Sequence, residues 1–373
     1  MSKQYFPQGI AKGDAFCNRD QEREYLQSSF NNIEHTVLVA PRRYGKTSLI
    51  TQVLQETNYP STHIDFFFSL TQSDVNKAIA EGVSHIISQL LPKTKKACHK
   101  MIDAVSALNP KLTFNLLGQK LEVNTHHTSD KTISELLLAL EHFARQSQKT
   151  CVIVLDEFQQ IGELEENHAI EASVRHAVER SDYVSYIFCG SRQHLLSEMF
   201  KNKTRPLYHL CDLMTIERIS TACYQEFLKN KSIEKWQSAI DNDAINEIIH
   251  LTENHPYYVN VLCRQLWRLE APPTIGEVRQ AWIDYIERQT YWMINDLSLL
   301  SLNRKKVLTG LAYQPTQQPQ GKQFSALCGL PPSSVKKSLN DLIKLDMVYI
   351  DSKNMYRMID PALAYFLREH QSQ

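Results

Sequence analysis

A chain of 373 residues with 42% hydrophobic and 22% charged side chains has room for two or three domains, each with its own core, and is too apolar to be disordered throughout. Lysine plus arginine equal aspartate plus glutamate at 41 each, so no net charge draws the whole chain to nucleic acid or an anionic membrane, and any such binding is local. No apolar run approaches the ~20 residues that cross a bilayer, and the start MSKQYFPQGIAKGD carries no apolar signal region, so the expectation is a cytoplasmic protein with no membrane contact.

The first strand-like run is HTVLVA (35–40), and a glycine-containing loop and a helical pattern follow it, APRRYGKTSLI (40–50). Strand, loop and helix in that order are the context that gives a phosphate-loop match its meaning. The backbone of such a loop, Ala40, Pro41, Arg42, Arg43, Tyr44, Gly45, Lys46, Thr47 and Ser48, would surround phosphate oxygens, with every N–H except at Pro41, which has none, able to point inward. Lys46 would reach the outer phosphates and Thr47 would offer its hydroxyl to Mg²⁺. Ala40 stands where the usual pattern has glycine. A methyl group is tolerated there if the backbone keeps a negative φ, and Pro41 stiffens the entry. The plain alternative for Gly-Lys-Thr is a helix cap.

Next come strand-like HIDFFFSL (63–70), helix-like VNKAIAEGVSHIISQLL (75–91), and KLTFNLLGQKLEVN (111–124), whose alternation on both sides of Gly118 predicts an inserted β-hairpin. His126 and His127 follow on an expected loop and form no metal motif. Helix-like TISELLLALEHFARQ (132–146) leads to TCVIVLDEF (150–158), an apolar strand ending in Asp156 and Glu157. A nucleotide hydrolase needs such an acidic pair beyond the phosphate loop. Asp156 would hold Mg²⁺, directly or through water, and Glu157 would orient the attacking water. The run YVSYIFCG (183–190) is the last strong strand signal, and Ser191 after it either senses the γ-phosphate or caps a helix. Strands alternating with helices predict a parallel sheet covered by helices.

From about 216 the strand signals stop. ACYQEFLKN, DAINEIIHLTE, YYVNVLCRQLWRL and TIGEVRQAWIDYIERQTYWMINDL carry helical apolar spacing and predict a small helical domain. Beyond Asn303 the order is RKKVLTGLAY, a Gln/Pro-rich connection, FSALCG, PSSVKKSLNDLIKLD and two short strands in MVYIDSKNMYRMI, the outline of a winged helix. Ten lysines and arginines stand against five acidic residues over 304–373. Lys336 and Lys337 in the candidate recognition helix, with Lys353 and Arg357 in the wing, would suit double-stranded DNA; docking of a protein partner or self-association is the equal alternative. The eight cysteines show no CxxC pair and read as ordinary buried thiols.

FCNRDQEREYL (16–26), PRRYGKTSL (41–49), LDEFQ (155–159) and FCGS (188–191) with RPLYHL (205–210) together resemble the archaeal-type P-loop ATPases, a branch related to the STAND and AAA+/origin-recognition ATPases. The resemblance implies an α/β P-loop NTPase sheet domain of ASCE type over 1–215, a helical lid over 216–302 and a C-terminal winged helix over 303–373, with ATP and Mg²⁺ as cofactors. It places Asn18 and Arg19 near the adenine or the hinge, Arg42 and Arg43 near phosphate or a neighbouring strand, and Gln159 beside the attacking water. LTENHPYYVNVL (251–262) resembles the family's T-G-G-x-P-x-Y lid motif, so His255 and Pro256 would approach the nucleotide; Glu253 and Asn254 replace its two glycines. Arg175, Arg180, Arg192 and Arg205 are the candidates for a contribution across subunits, Arg205 first. Three functions follow: an ATP-hydrolysing switch that regulates a partner through its lid and winged helix, an ATP-dependent DNA-binding factor resembling origin-recognition ATPases, or a nucleotide-binding module that does not hydrolyse.

Overall fold

The computed structural model describes residues 5–108, 112–117, 120–125, 132–164 and 168–371; His126 and His127 lie outside them. The chain divides into two compact units, one built from Asp20–Ala40 and Leu49–Ile216, the other from the residues up to Arg19, Pro41–Ser48 and those from Glu217 onward.

Through residue 216 the elements are α1 (Asp20–Asn31), β1 (Thr36–Val39), α2 (Lys46–Thr57), β2 (Ser61–Asp65), α3 (Gln72–Leu90), α4 (Lys95–Leu108), β3 (Leu112–Leu117), β4 (Lys120–Thr125), α5 (Thr132–Ser147), β5 (Cys151–Asp156), α6 (Gln159–Leu164), α7 (Ala169–Val178), β6 (Val184–Gly190), α8 (Gln193–Lys201) and β7 (Asp212–Thr215). Five strands form one parallel sheet in the order β2-β5-β6-β1-β7. Every residue of β1, β5 and β6 is buried, which is why these strands read as unbroken Val/Ile/Leu/Phe runs and not as alternating ones. Val37, Ile153, Leu155 and Phe188 share a core with Ile79, Leu136, Leu140 and Phe143 of α3 and α5. Full burial of each such side chain contributes about 1.5–3 kcal/mol. Because the strands are parallel, β1, β5 and β6 all end at one edge, with Val39 beside Gly190 and Leu155 beside Phe188. Ligands of open α/β sheets bind at such carboxyl edges.

The structure departs from the expected strands at both borders of this sheet. Strand β2 stops at Asp65, where it faces Asp156, the last residue of its sole neighbour β5. The Phe66 N–H still donates to the Asp156 carbonyl at 3.1 Å, and a turn closed by Ser69 N–H to Phe66 C=O then leaves Phe67, Phe68 and Leu70 exposed. The strand β7 was not expected. Its sequence, DLMT, is short and mostly exposed, and it exists because β1 offers a parallel edge. Strands β3 and β4 pair with each other in a separate antiparallel sheet, with residues 118–119 of the connection outside the described ones.

Beyond 216 come α9 (Thr221–Trp236), α10 (Asn242–Thr252), α11 (Pro256–Leu266), α12 (Ile275–Ser298), α13 (Leu302–Tyr313), α14 (Lys322–Cys328), α15 (Pro332–Lys344), the antiparallel pair β8 (Val348–Ile350) and β9 (Tyr356–Met358), and α16 (Pro361–Gln371). Side-chain caps mark the starts: Ser220 for α9, Asp241 for α10, His255 for α11 and a reciprocal Thr274–Glu277 box for α12. A continuous core holds Leu228, Val259, Leu262, Trp282, Val307, Leu339 and Leu363. Among the described residues, no helix is long and apolar enough to cross a membrane.

Candidate functional site

The loop after β1 answers the question raised by Ala40. That residue is fully buried and its φ is not positive, so its methyl group sits in the interior without backbone strain. Glycine is required five residues on: Gly45 has φ +89°, a region that side-chain-bearing residues rarely enter, although a Cβ there would meet no neighbour. Lys46 opens α2 and is buried, and Thr47 and Ser48 are half-buried in its first turn, where helix N–H groups lack helical partners. The Ser48 hydroxyl accepts the Ala11 N–H at 3.0 Å. Arg42 and Arg43 are exposed, and the Arg43 guanidinium lies 4.4 Å above the Tyr257 ring of α11, a cation–π contact.

Tyr44 ties this loop to its own unit. Its buried ring meets His255 at 4.7 Å and Tyr349 of β8 at 5.8 Å, both edge-on. Its hydroxyl accepts from Arg218 Nε at 3.1 Å. Arg218 also donates to the Glu253 carboxylate at 2.6 Å and to the carbonyls of Glu253, Met358 and Ile359. One guanidinium thus joins the loop, the α10–α11 turn and the end of β9. Sequence reasoning missed Arg218, which lies in no motif and next to no patterned run. Burial pushes the Tyr44 phenol well above its ordinary range. Burial, with Arg218 and Arg43 nearby, holds His255 well below the ordinary histidine value, so the ring is neutral and its Nδ1 accepts the Tyr257 N–H at 3.2 Å as the cap of α11.

The other residues expected around the loop take structural positions. Arg19 is buried and donates through Nη2 to the carbonyls of Tyr44 and Glu217, both at 2.9 Å, while Asn18 Nδ2 lies 2.7 Å from Cys223 Sγ. Pro256 occupies the first turn of α11, where its missing N–H costs no hydrogen bond. Glu253 and Asn254, in the places of two glycines, have φ +47° and +59°, the left-handed region that glycine enters most readily.

In the sheet unit, Asp156 and Glu157 end β5. Asp156 Oδ1 accepts the Glu157 N–H at 2.9 Å and lies 3.1 Å from Cys189 Sγ, and Oδ2 lies 3.0 Å from His63 Nε2. Glu157 has φ +50°, a left-handed conformation at the strand exit. Its Oε2 receives the Ser191 N–H at 3.2 Å, the Ser191 hydroxyl at 2.8 Å and the Gln159 side-chain amide. Ser191 and Gln159, two separate expectations, therefore converge on one carboxylate oxygen. Gln159 in turn lies over Gly190, where a Cβ would fall 1.8 Å from its Oε1. Among the described residues, no cluster of three or more His, Cys, Asp or Glu could hold a metal ion.

The four arginines considered for a contribution across subunits have partners within the chain. Arg205 pairs with buried Glu171, Arg192 with Glu163 and Arg175 with Glu179, and Arg180 donates to the His176 carbonyl. Near the C-terminus, Lys336 and Lys337 are exposed on α15 and Lys353 is exposed between β8 and β9, whereas Arg357 is half-buried and bound to Asp351 at 2.9 Å.

Comparison with solved structures finds the same fold in a Walker-type ATPase of Pyrococcus abyssi, 19% identical, with a TM-score of 0.67 over 96% of this chain and 98% of that one. The Aeropyrum pernix ORC2 protein, solved as ADPNP–ADP complexes, is 12% identical, with a TM-score of 0.53 over 95% of both chains. No curated protein sequence matches. The five-stranded parallel sheet with its helices is the α/β fold of P-loop NTPases. Residues 16–262 match the model of an ATPase domain found predominantly in Archaea, and the chain belongs to that family of archaeal-type P-loop ATPases.

Proposed function

We propose that this chain binds ATP with Mg²⁺ and hydrolyses it slowly, as a switch whose lid and C-terminal region change conformation with nucleotide state to regulate a partner. The observation that carries the reading is Tyr44: a phosphate-loop residue is packed by His255 and Tyr349 and bonded by Arg218, so a change in the loop is felt at α11 and at β8–β9. In this reading 1–215 is the ATPase domain, 216–302 the lid and 303–373 a winged helix.

The loop 40–48 wraps the phosphates and Lys46 meets the outer ones. Thr47 and Asp156 are the oxygen donors we assign to Mg²⁺, a hard cation that takes one or two protein oxygens and completes its shell with phosphates and water. When bound, it neutralises charge on the phosphate oxygens. The donors suit it: a hydroxyl and a carboxylate are the hard oxygen ligands this cation takes. Glu157 orients a water for in-line attack on the γ-phosphorus; the new P–O bond forms as the β–γ bridge breaks, and Glu157 takes the proton on its way to solvent or product. Ser191 and Gln159 position Glu157, and their effect is exerted through it. Asn18, Arg19 and His255 hold the loop and lid, and Arg42 and Arg43 flank the phosphates.

The competing reading, ATP-dependent DNA binding, draws on the exposed Lys336, Lys337 and Lys353. One experiment addresses both. ATP turnover and nucleotide binding are measured for wild type, Lys46→Ala and Glu157→Gln, each with and without a DNA duplex. Expected are slow wild-type turnover, loss of binding in Lys46→Ala, and binding without turnover in Glu157→Gln. Stimulation by DNA that vanishes at high salt would favour the second reading. Wild type that neither binds nor hydrolyses ATP would overturn the proposal.

A further inference from the structure

The helices after residue 216 carry a second concentration of positive charge, on residues that have no role in the reading above. A cleft of about 370 Å³ between α11 and α12 is lined by Val261, Arg264, Gln265, Arg268, Tyr285, Arg288 and Gln289. We propose that this cleft binds a compact, multiply charged phosphate group, such as an inorganic di- or triphosphate or the phosphate chain of a free nucleotide, at a site separate from the phosphate loop.

The chain brings the arginines together. Arg264 lies in the last turn of α11, Arg268 in the turn just beyond its end, and Tyr285, Arg288 and Gln289 are three and four apart on one face of α12. The lining holds three guanidinium groups and no carboxylate. Among the described residues none of the three has an ion-pair partner, whereas Arg279, Arg304 and Arg357 of the same unit bind Glu247, Asp341 and Asp351 at 2.6, 2.7 and 2.9 Å. The negative end of α11 accounts for a cation in its last turn, but not for a third charge arriving from α12. Like charges gathered in a concave site repel one another until an anion enters, and guanidinium forks match phosphate oxygens in pairs.

The fixed geometry also suits an anion. Arg288 Nη2 donates to Gln265 Oε1 at 3.0 Å, which holds one fork across the two helices and leaves its other N–H groups for a ligand. Gln289 adds a neutral donor to the same wall. The volume falls in the range of small-ligand sites, about 300–1,000 Å³, and a concave site of that size favours a compact ion over a long polymer backbone.

The test uses the full chain with Lys46→Ala, which disables the phosphate loop, and sodium tripolyphosphate as the probe, followed by calorimetry at low salt. Expected is one binding event, weakened at least tenfold when Arg264→Gln and Arg288→Gln are added and restored in part by Arg264→Lys with Arg288→Lys. An unchanged melting temperature shows that the Gln variant is folded. In an otherwise wild-type chain, the same Gln pair leaves ATP turnover unchanged, so failure here is distinguishable from failure of the ATPase reading. No tripolyphosphate binding in Lys46→Ala, or binding indifferent to the arginines, would overturn the proposal. So would a 20-base-pair duplex binding in an arginine-dependent way where tripolyphosphate does not, which would make the cleft a nucleic-acid contact.

Discussion

Glu157, the acid to which we assign the attacking water, is held in place by its neighbours. Its Oε2 is bound by Ser191 and Gln159, and Gln159 lies against Gly190 with no space for a β-carbon. Gly190→Ala must therefore displace Gln159, leaving the acid in place but loosening its aim. Expected is ATP binding close to wild type with turnover lowered roughly tenfold or more, a loss below the 10²–10⁴-fold typical of removing a general base. Phosphate-release kinetics beside nucleotide-binding titration checks this; a variant that loses binding and turnover together would mean that Gly190 serves the fold and not the acid. At this scale the sequence was legible where backbone geometry dictates residue type, as at Gly45 with its φ of +89°. Arg218 was not legible, because its role depends on four partners, Tyr44, Glu253, Met358 and Ile359, that lie from 174 residues before it to 141 after it, none of which marks it locally.

Elements were legible in proportion to their burial. β1, β5 and β6 are buried throughout and announce themselves as apolar runs, whereas β7 is nearly all exposed and the run beyond Asp65 is apolar without being a strand. There the neighbour strand decides, and no local pattern reports where a neighbour ends. Helix α16 was also missed, although Pro361 at its first turn and buried Leu363, Phe366 and Leu367 carried a helical signal. The α10–α11 turn is the instructive case, since Glu253 and Asn254, which stand where the resembled motif has two glycines, adopt the left-handed conformation that glycine enters most readily. Asn254→Gly relieves backbone strain of about 1 kcal/mol and gives up the 3.0 Å bond to Thr221, worth about the same, so stability should stay within about 1 kcal/mol of wild type. Asn254→Val, β-branched in a left-handed position, should lose about 2 kcal/mol or more. Urea unfolding midpoints decide it: equal midpoints for Gly and Val would mean that the turn is not held in this geometry.

For the molecule as a whole, the division of the chain matters more than the order of its parts. Pro41–Ser48 follows a strand of the sheet unit but is compact with the residues up to Arg19 and those from Glu217 onward. Tyr44 is the side chain through which that membership is expressed, touching His255 at the start of α11 and Tyr349 of β8 and sharing Arg218 with the α10–α11 turn and the end of β9. If the loop reports nucleotide to the rest of its unit by this route, the signal must fail when the ring is removed, even though the phosphate-binding N–H groups, Lys46 and Thr47 remain. ATP added to wild type should change amide exchange in the first turn of α11 and across β8–β9 by at least tenfold, about 1.4 kcal/mol of coupling. In Tyr44→Ala the exchange of these segments should no longer respond to ATP, and Tyr44→Phe, which keeps the ring and loses the Arg218 bond, should fall between the two. Nucleotide binding is measured in parallel, because only a variant that still binds ATP separates lost transmission from lost occupancy. An ATP response of β8–β9 that survives in Tyr44→Ala would place the coupling elsewhere and remove the central support for a switch read through this loop.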